Sequence, residues 1–147
     1  GKGTALLFAQ EGAKVVVSGR TEDAGERVAQ EINASGGEAS FVRADVTEAD
    51  DLRNLVEQTV KTYGKLDILF NNAGMGARGK VADESEEMWD RVIDVNLKSV
   101  FLGIKYAVPE MIKNGGGSIV NNSSMWAIAA SHRCSGAYAA SKAGVAG

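Results

Sequence analysis

The chain contains 147 residues, of which 44% are hydrophobic and 24% are charged, and its formal net charge at pH 7 is −3. These values are typical of one globular domain with its own core, and they exclude an intrinsically disordered chain. The slightly acidic balance predicts no nucleic-acid or membrane partner, and no apolar run approaches the roughly 20 residues that span a membrane.

The predicted elements alternate between helix and strand along the chain. Helical periodicity and short β-branched or apolar runs predict, in chain order, helix 3–11, strand 14–18, helix 22–34, strand 39–43, helix 48–63, strand 66–70, helices 84–95 and 97–113, strand 118–122 and a last helix from about Gly136. Thr47 is the predicted cap of helix 48–63. The alternation predicts one doubly wound α/β domain over residues 1–147, whose ligands bind beyond the carboxyl ends of the strands.

Two glycines, Gly1 and Gly3, precede the first predicted helix. The N-terminus of a helix is where the pyrophosphate of a dinucleotide binds, and glycine lets the backbone approach it closely. A full dinucleotide fingerprint also has a strand and spaced glycines before the helix, and these are missing here. Two interpretations stay open, the end of a cofactor-binding turn and an ordinary flexible helix start.

Gly19 and Arg20 follow the first predicted strand. In dinucleotide folds an acidic residue near this point binds the adenosine ribose, whereas an arginine accommodates a 2′-phosphate. Gly19 leaves space open, and the planar guanidinium of Arg20 suits a phosphate group. A lone arginine in a turn is also typical of a solvated surface, but its place in a βαβ unit favours phosphate binding, to which Lys2 would add a second positive charge.

Polar and small residues follow the next two predicted strands. Asp45 and Val46 come after strand 39–43, where the carboxylate would accept the adenine amino group and the valine would pack against the ring; Asp45 is equally placed to cap the next helix. Asn72, Ala73 and Gly74 come after strand 66–70. An asparagine there can bond backbone groups of neighbouring loops, and Ala-Gly lets a flat cofactor approach the main chain.

The most specific constellation comes late in the chain. Ser123 and Ser124 end the last predicted strand, and Tyr138 and Lys142 share one face of the last helix. An isolated tyrosine is a poor acid–base group at neutral pH, and a neighbouring ammonium stabilises its phenolate. A nearby serine hydroxyl would hold a substrate oxygen. The pattern therefore indicates general acid–base catalysis rather than an amphipathic pair with an extended lysine.

Taken together, these residues resemble the short-chain dehydrogenase/reductase family over essentially the whole chain. The landmarks that carry the resemblance are Gly1 and Gly3, Gly19-Arg20, Asp45-Val46, Asn71-Asn72-Ala73-Gly74, Asp94-Val95-Asn96-Leu97, the strand from Ser118 to Ser124, and Tyr138-Ala-Ala-Ser-Lys142. The resemblance implies a Rossmann-like, doubly wound parallel sheet in a three-layer α/β/α arrangement, here incomplete.

The resemblance also implies roles for four residues. Tyr138 would be the catalytic acid/base, Ser124 would orient the reacting oxygen, and Lys142 would bond the nicotinamide ribose and support the tyrosine. Asn96, a helix-disfavouring residue in an apolar helical stretch, would hold a water that links Lys142 to solvent. Ser124 lies 14 positions before Tyr138, one more than is usual in the family; we assign the extra residue to the variable loop and prefer Ser124 to Ser123.

By the same resemblance the cofactor is NADP(H), with NAD(H) as the alternative, and the substrate is a small carbonyl compound or secondary alcohol. Similar members are 3-oxoacyl carrier-protein reductases and glucose, cyclic-alcohol and other alcohol dehydrogenases. The family implies a homotetramer or homodimer, formed through helix 97–113 and the helix from Gly136. The rival hypothesis is a non-catalytic dinucleotide-binding regulator on the same fold; an epimerase or dehydratase is a third alternative.

Family members have a further strand before Gly1 and more strands after Gly147, so we interpret the chain as a fragment. In the family's sheet the missing strand lies between strands 14–18 and 66–70. Its absence would leave two strand edges without partners. We therefore expect the 147 residues alone neither to fold stably nor to turn over substrate.

The remaining candidates are less informative. Four apolar residues follow strand ends that carry candidate site residues: Met75, Met125, Trp126 and Ile128. Two interpretations stay open for them, as lining of a substrate pocket or as ordinary packing residues. His132 and Cys134 have no metal-ligand spacing and no catalytic partner, so we expect no metal site.

A single cysteine excludes an internal disulfide and predicts a reducing compartment, the cytoplasm. The acidic stretch 83–90 is interpreted as a solvated helix face.

Overall fold

The computed structural model describes residues 1–129 and 135–147, so His132 and Cys134 lie outside the described residues. Helices and strands alternate as predicted. In chain order they are α1 Lys2–Gln10, β1 Lys14–Gly19, α2 Glu22–Ala34, β2 Glu38–Arg43, α3 Ala49–Tyr63, β3 Ile68–Asn71, α4 Glu86–Ile93, α5 Ser99–Lys113, β4 Ser118–Asn121 and α6 Gly136–Ala146. The chain is therefore an α/β protein, and each boundary lies within about two residues of its predicted position.

All strand pairs are parallel, but they form two separate ladders. β1 pairs with β2 from Lys14 opposite Glu38 to Gly19 opposite Arg43. β3 pairs with β4 from Ile68 opposite Ser118 to Asn71 opposite Asn121. Within the described residues no ladder joins β1 to β3. Each ladder thus brings two strand ends together, and the instability expected for the isolated chain stays a prediction.

The start of α3 differs from its prediction, because Thr47 does not cap the helix. The N-cap residue is Glu48, which makes no side-chain cap bond. The Thr47 hydroxyl instead donates to Asp45 Oδ1 at 2.8 Å, and the Thr47 backbone N–H donates to the same oxygen at 3.0 Å. Asp51 Oδ2 accepts the Asp45 N–H at 2.8 Å. The polar groups of this turn therefore fix Asp45 rather than α3.

The prediction of two separate helices, 84–95 and 97–113, is also wrong. A π segment, Asp94–Lys98, joins α4 to α5, so that residues 86–113 form one continuous helical stretch. Asn96 lies in this segment and is buried. A single π turn widens a helix locally and occurs frequently at functional sites. Its effect here is to hold a polar side chain inside the protein without ending the helix.

The helices cover the ladders and supply most of the core. Val56, Ala107 and Met111 form a buried cluster between α3 and α5, against which Leu69 and Ile119 of β3 and β4 pack. Val92 of α4 and Ala137 of α6 are fully buried. None of the helices in the described part of the chain is long and apolar enough to cross a membrane. The packing leaves the carboxyl end of β4 beside α6, where Ser123 and Asn122 form hydrogen bonds with Lys142.

Candidate active site

The Lys142 side chain lies buried at the carboxyl end of β4. It is 4% exposed, and its Nζ donates a 2.7 Å hydrogen bond to the Asn122 carbonyl oxygen, just past the strand. The same Nζ lies 5.9 Å from the centroid of the Tyr138 ring. Burial lowers the pKa of Lys142 below its ordinary value, because removal from water disfavours the ammonium form. α6 thus holds a desolvated amine against a half-buried tyrosine.

The two serines after β4 have different partners. The Ser123 hydroxyl donates to the Lys142 carbonyl oxygen at 2.8 Å, which ties the strand end to the backbone of α6. Ser124 Oγ accepts the Trp126 backbone N–H at 3.3 Å and starts a short 3-10 turn, Met125–Ala127. Accepting this bond leaves the Ser124 hydroxyl proton available for another acceptor. Ser123 therefore fastens α6, whereas the Ser124 hydroxyl donates no hydrogen bond to any of residues 1–129 and 135–147.

Asn96 connects the loop after β3 with α6. Its Oδ1 accepts the Met75 N–H at 2.8 Å, and its Nδ2 donates to the Met75 carbonyl at 3.0 Å and to Ser141 Oγ at 3.1 Å. Both amide protons are engaged, so one lone pair of Oδ1 is what the side chain has left for the predicted water. Its described contacts show a side chain that bridges two elements.

Ser141 is a member of this cluster that the sequence analysis missed. It is fully buried, accepts from Asn96, and donates to the Tyr138 carbonyl oxygen at 2.8 Å. The available signal was a serine next to Lys142 in an alanine-rich helix, where a buried hydroxyl requires a partner. Through Ser141 the π segment is linked to the backbone of the residue that carries the phenol.

Gly74 lies against the cluster. A Cβ built on Gly74 would lie 3.5 Å from both Asn96 Oδ1 and Lys142 Nζ. A Cβ at this distance would be in ordinary van der Waals contact with both atoms. The main chain at Gly74 therefore lies directly beside the buried Asn96 and Lys142 side chains.

The carboxyl ends of β1 and β2 form a second polar region. Arg20 Nη1 lies 3.9 Å from Asp45 Oδ2, and the Arg20 side chain is 66% exposed. A Cβ built on Gly19 would meet nothing within 4 Å, and Val46 is half-buried beside Asp45. The bonds from Thr47, first its N–H and then its hydroxyl, hold the pKa of Asp45 below the ordinary value, and Arg20 adds to this. The region therefore combines a largely exposed guanidinium, paired with Asp45, and open space beside Gly19.

The start of α1 meets the end of β3. The Gly1 nitrogen lies 3.4 Å from Asn72 Oδ1, and a Cβ on Gly1 would lie 3.2 Å from Asn72 Nδ2. Gly3 has open space around its Cα, and Ala73 is half-buried between Asn72 and Gly74. Lys2 Nζ forms a 2.7 Å ion pair with Glu31, and both side chains are exposed, so its predicted contribution to phosphate binding stays a prediction.

Two other expectations change in the structure. Met125 and Ile128 are 67% and 91% exposed, which excludes them from the core formed by the described residues. Met75 and Trp126 are half-buried. The acidic stretch is solvated except for Glu84, whose Oε2 accepts the Ala137 N–H of α6 at 3.2 Å. Interpreting the whole stretch as a solvated face was therefore wrong at this residue.

Comparisons with known proteins identify the family of this chain. A sequence model described as short chain dehydrogenase matches residues 1–147. The chain is 45% identical to a cyclohexanol dehydrogenase of Acinetobacter sp. strain SE19, matching all of this chain and 59% of that protein. It is 42% identical to a 3-oxoacyl carrier-protein reductase of Thermotoga maritima, again over all of this chain and 59% of the relative. The crystal structure of a metagenomic short-chain oxidoreductase in complex with NADP superposes with a TM-score of 0.90 at 32% identity, covering 99% of this chain and 66% of that one. The chain thus spans about three fifths of these curated relatives.

Proposed function

The chain belongs to the short chain dehydrogenase family and has its Rossmann-type fold, and we propose that the protein carrying it transfers a hydride between NADP(H) and a carbonyl compound or secondary alcohol. One observation carries this proposal. A buried lysine is held by a backbone carbonyl beside a tyrosine, at the carboxyl end of a parallel strand. That is an arrangement for moving a proton at a site reached by a dinucleotide.

Tyr138 is the acid/base in this proposal. In the direction of reduction its phenolic proton passes to the substrate oxygen while the substrate carbon receives the hydride, and the resulting phenolate is left beside Lys142. A cation about 6 Å from an aromatic ring stabilises negative charge on it, more strongly where water is excluded. The phenolate in turn favours the ammonium form of Lys142 and opposes the effect of burial on that amine.

Ser124 and Asn96 have supporting roles beside Tyr138 and Lys142. Ser124 keeps a hydroxyl proton for the reacting oxygen, since its described hydrogen bond is one that it accepts. Asn96 holds the loop at Met75 and α6 in one register through Ser141. A preorganised donor such as Ser124 stabilises a transition state because it does not have to rearrange as charge develops.

The dinucleotide, when bound, supplies the hydride. The residues proposed to hold it lie at the start of α1, after the strand ends and on α6. They are Gly1, Gly3, Gly19, Arg20, Asp45, Val46, Asn72, Ala73, Gly74, Tyr138 and Lys142. Exposed Arg20 would bind the 2′-phosphate, which makes NADP(H) the preferred cofactor over NAD(H). The NADP named for a similar structure supports this preference.

The proposed substrate class is a small carbonyl compound or secondary alcohol. The relatives include a cyclohexanol dehydrogenase and an acyl carrier-protein reductase, and these names support the class. We propose a homodimer or homotetramer on the family resemblance. A reducing compartment, the cytoplasm, is proposed on the single cysteine of the sequence.

The experiment that tests the proposal is an activity screen of the whole protein with NADPH. Cyclic ketones and 3-oxoacyl thioesters are offered, and oxidation of NADPH is followed by absorbance. Turnover with at least one ketone, faster with NADPH than with NADH, is the expected result. Tight NADPH binding without turnover of any carbonyl compound would favour the non-catalytic regulator instead.

A further inference from the structure

The first turn of α6 needs partners from outside the helix. The first N–H groups of any helix have no acceptor within it, and their partial positive charge favours an anion nearby. In α6 the Tyr138 N–H donates to the N-cap Ser135 Oγ at 3.1 Å. The turn contains no acidic residue of its own. The Ala137 N–H, one residue before the tyrosine, therefore depends on a more distant acceptor.

Glu84 supplies that acceptor from 53 residues away along the chain. It lies between a 3-10 turn, Val81–Asp83, and the N-cap of α4, and its Oε2 accepts the Ala137 N–H at 3.2 Å. Its Oε1 is buried and has no donor within residues 1–129 and 135–147. A buried oxygen without a donor is destabilising, because it has lost its hydrogen bonds to water. The contact with α6 offsets a cost that a solvated glutamate would avoid.

The segment that carries Glu84 is also pressed against α6. A Cβ built on Gly136 would lie 2.9 Å from Val81 Cγ2 and 3.4 Å from Glu84 Oε2. A larger residue at Gly136 would require the Val81 side chain to shift, so the segment that carries Glu84 is in close contact with the first residue of the helix. α4 begins two residues after Glu84 and packs on α6, so Glu84 links the first turn of α6 to a helix that also contacts α6.

We propose that Glu84 is a positioning residue for Tyr138. It acts through the backbone of the first turn of α6 and fixes where the phenol lies relative to Lys142, without touching substrate or cofactor. This inference rests on the proposed function. An error of about 1 Å in the place of a catalytic group can cost about 100-fold in rate, so one hydrogen bond at this turn is enough to matter.

The test compares Glu84→Ala and Glu84→Gln with Glu86→Ala in the whole protein. Glu86 is an exposed residue of the same type two positions away, so it serves as a matched control. Turnover is divided by the number of NADPH-binding sites from titration, which removes any loss of folded protein. We expect Glu84→Ala to lower kcat per site about tenfold, with the dissociation constant of NADPH within about twofold of wild type. Glu84→Gln keeps an oxygen acceptor and should recover most of kcat, and Glu86→Ala should match wild type.

Two results would overturn the inference. One is a wild-type kcat per site in Glu84→Ala, and the other is a Gln variant as slow as the Ala variant. Tyr138→Phe is measured alongside to separate this inference from the proposed function. An active Tyr138→Phe removes the acid/base role of Tyr138 itself, whereas an inactive Tyr138→Phe with an unaffected Glu84→Ala removes the positioning role of Glu84 alone.

Discussion

The polar residues at the ends of the two ladders are arranged in different ways. Beyond β3 and β4, Asn96, Ser141 and Lys142 are buried and bonded to each other or to backbone. Beyond β1 and β2, Arg20 is largely exposed and meets Asp45 at 3.9 Å. Both regions follow parallel strands, yet one is a closed network and the other an open pair. Under the proposed function, the closed network would serve proton transfer and the open pair would serve cofactor recognition.

Substitutions in the two regions should therefore change the free energy of unfolding by different amounts. A buried polar group that loses its partner costs about 1–3 kcal/mol, whereas an exposed ion pair contributes about 0–1 kcal/mol. Changes in the closed network are therefore expected to affect both turnover and folding. Changes in the open pair should affect cofactor affinity while leaving the fold intact.

The largest effect is expected for Lys142→Met. The variant keeps most of the side-chain volume but removes the cation beside Tyr138 and leaves the Asn122 carbonyl without its partner. We expect kcat to fall about 1000-fold, within the usual range for acid–base groups. Lys113→Met, which removes an exposed lysine paired with Glu110, is the control and should retain full turnover. Steady-state kinetics with NADPH would check both, and a Lys142→Met protein with wild-type kcat would remove the closed network from the mechanism.

Asn96→Ala should come next and act mainly on stability. Three groups lose a partner, the Met75 N–H, the Met75 carbonyl and the Ser141 hydroxyl. We expect the free energy of unfolding to fall by about 3 kcal/mol. Asn114→Ala, which removes an exposed bond to the Glu110 carbonyl, should change it by about 0.5 kcal/mol or less. Denaturant melts of the whole protein measure both, and equal losses in the two variants would contradict the contrast between the regions.

Arg20→Ala should have the smallest effect and a selective one. Loss of a charged bond to the 2′-phosphate should raise the dissociation constant of NADPH about 30-fold and leave that of NADH within about twofold. Arg27→Ala, at an exposed position of α2, should change neither. Fluorescence titrations with the two cofactors give the comparison. Equal weakening of NADPH and NADH would show that Arg20 does not distinguish them.

The sequence predicted the local parts of this picture well. Helix 22–34, the start of α6 at Gly136 and the four strands follow from periodicity and glycine stops, which depend on neighbouring residues. The match to the family model confirms the family resemblance. The resemblance was visible in the sequence because most of its motifs are short runs next to strand ends. The roles assigned to Tyr138 and Lys142 stay predictions, although the structure places these residues together.

The errors concern contacts between distant segments. The 3.6-residue pattern of stretch 83–90 gives no sign that Glu84 meets α6, since the partner is 53 residues away. The π segment at Asn96 depends on Met75 and Ser141, which hold the side chain from outside the helix. The ion pair between Lys2 and Glu31 also joins two helices and was not predicted. Propensities and motifs describe neighbours in sequence, so tertiary hydrogen bonds of this kind are not visible to them.

Tyr138→Phe tests the central claim most directly. Phenylalanine keeps the ring and removes the hydroxyl alone, so the fold and the cofactor cradle should persist. Tyr63→Phe, which removes the hydroxyl of a tyrosine at the end of α3 that bonds Ser40 at 3.4 Å, is the matched control. We predict that kcat with NADPH and a responsive ketone falls about 1000-fold in Tyr138→Phe, with an unchanged dissociation constant for NADPH and full activity in the control. Turnover by Tyr138→Phe at the wild-type rate would contradict the account.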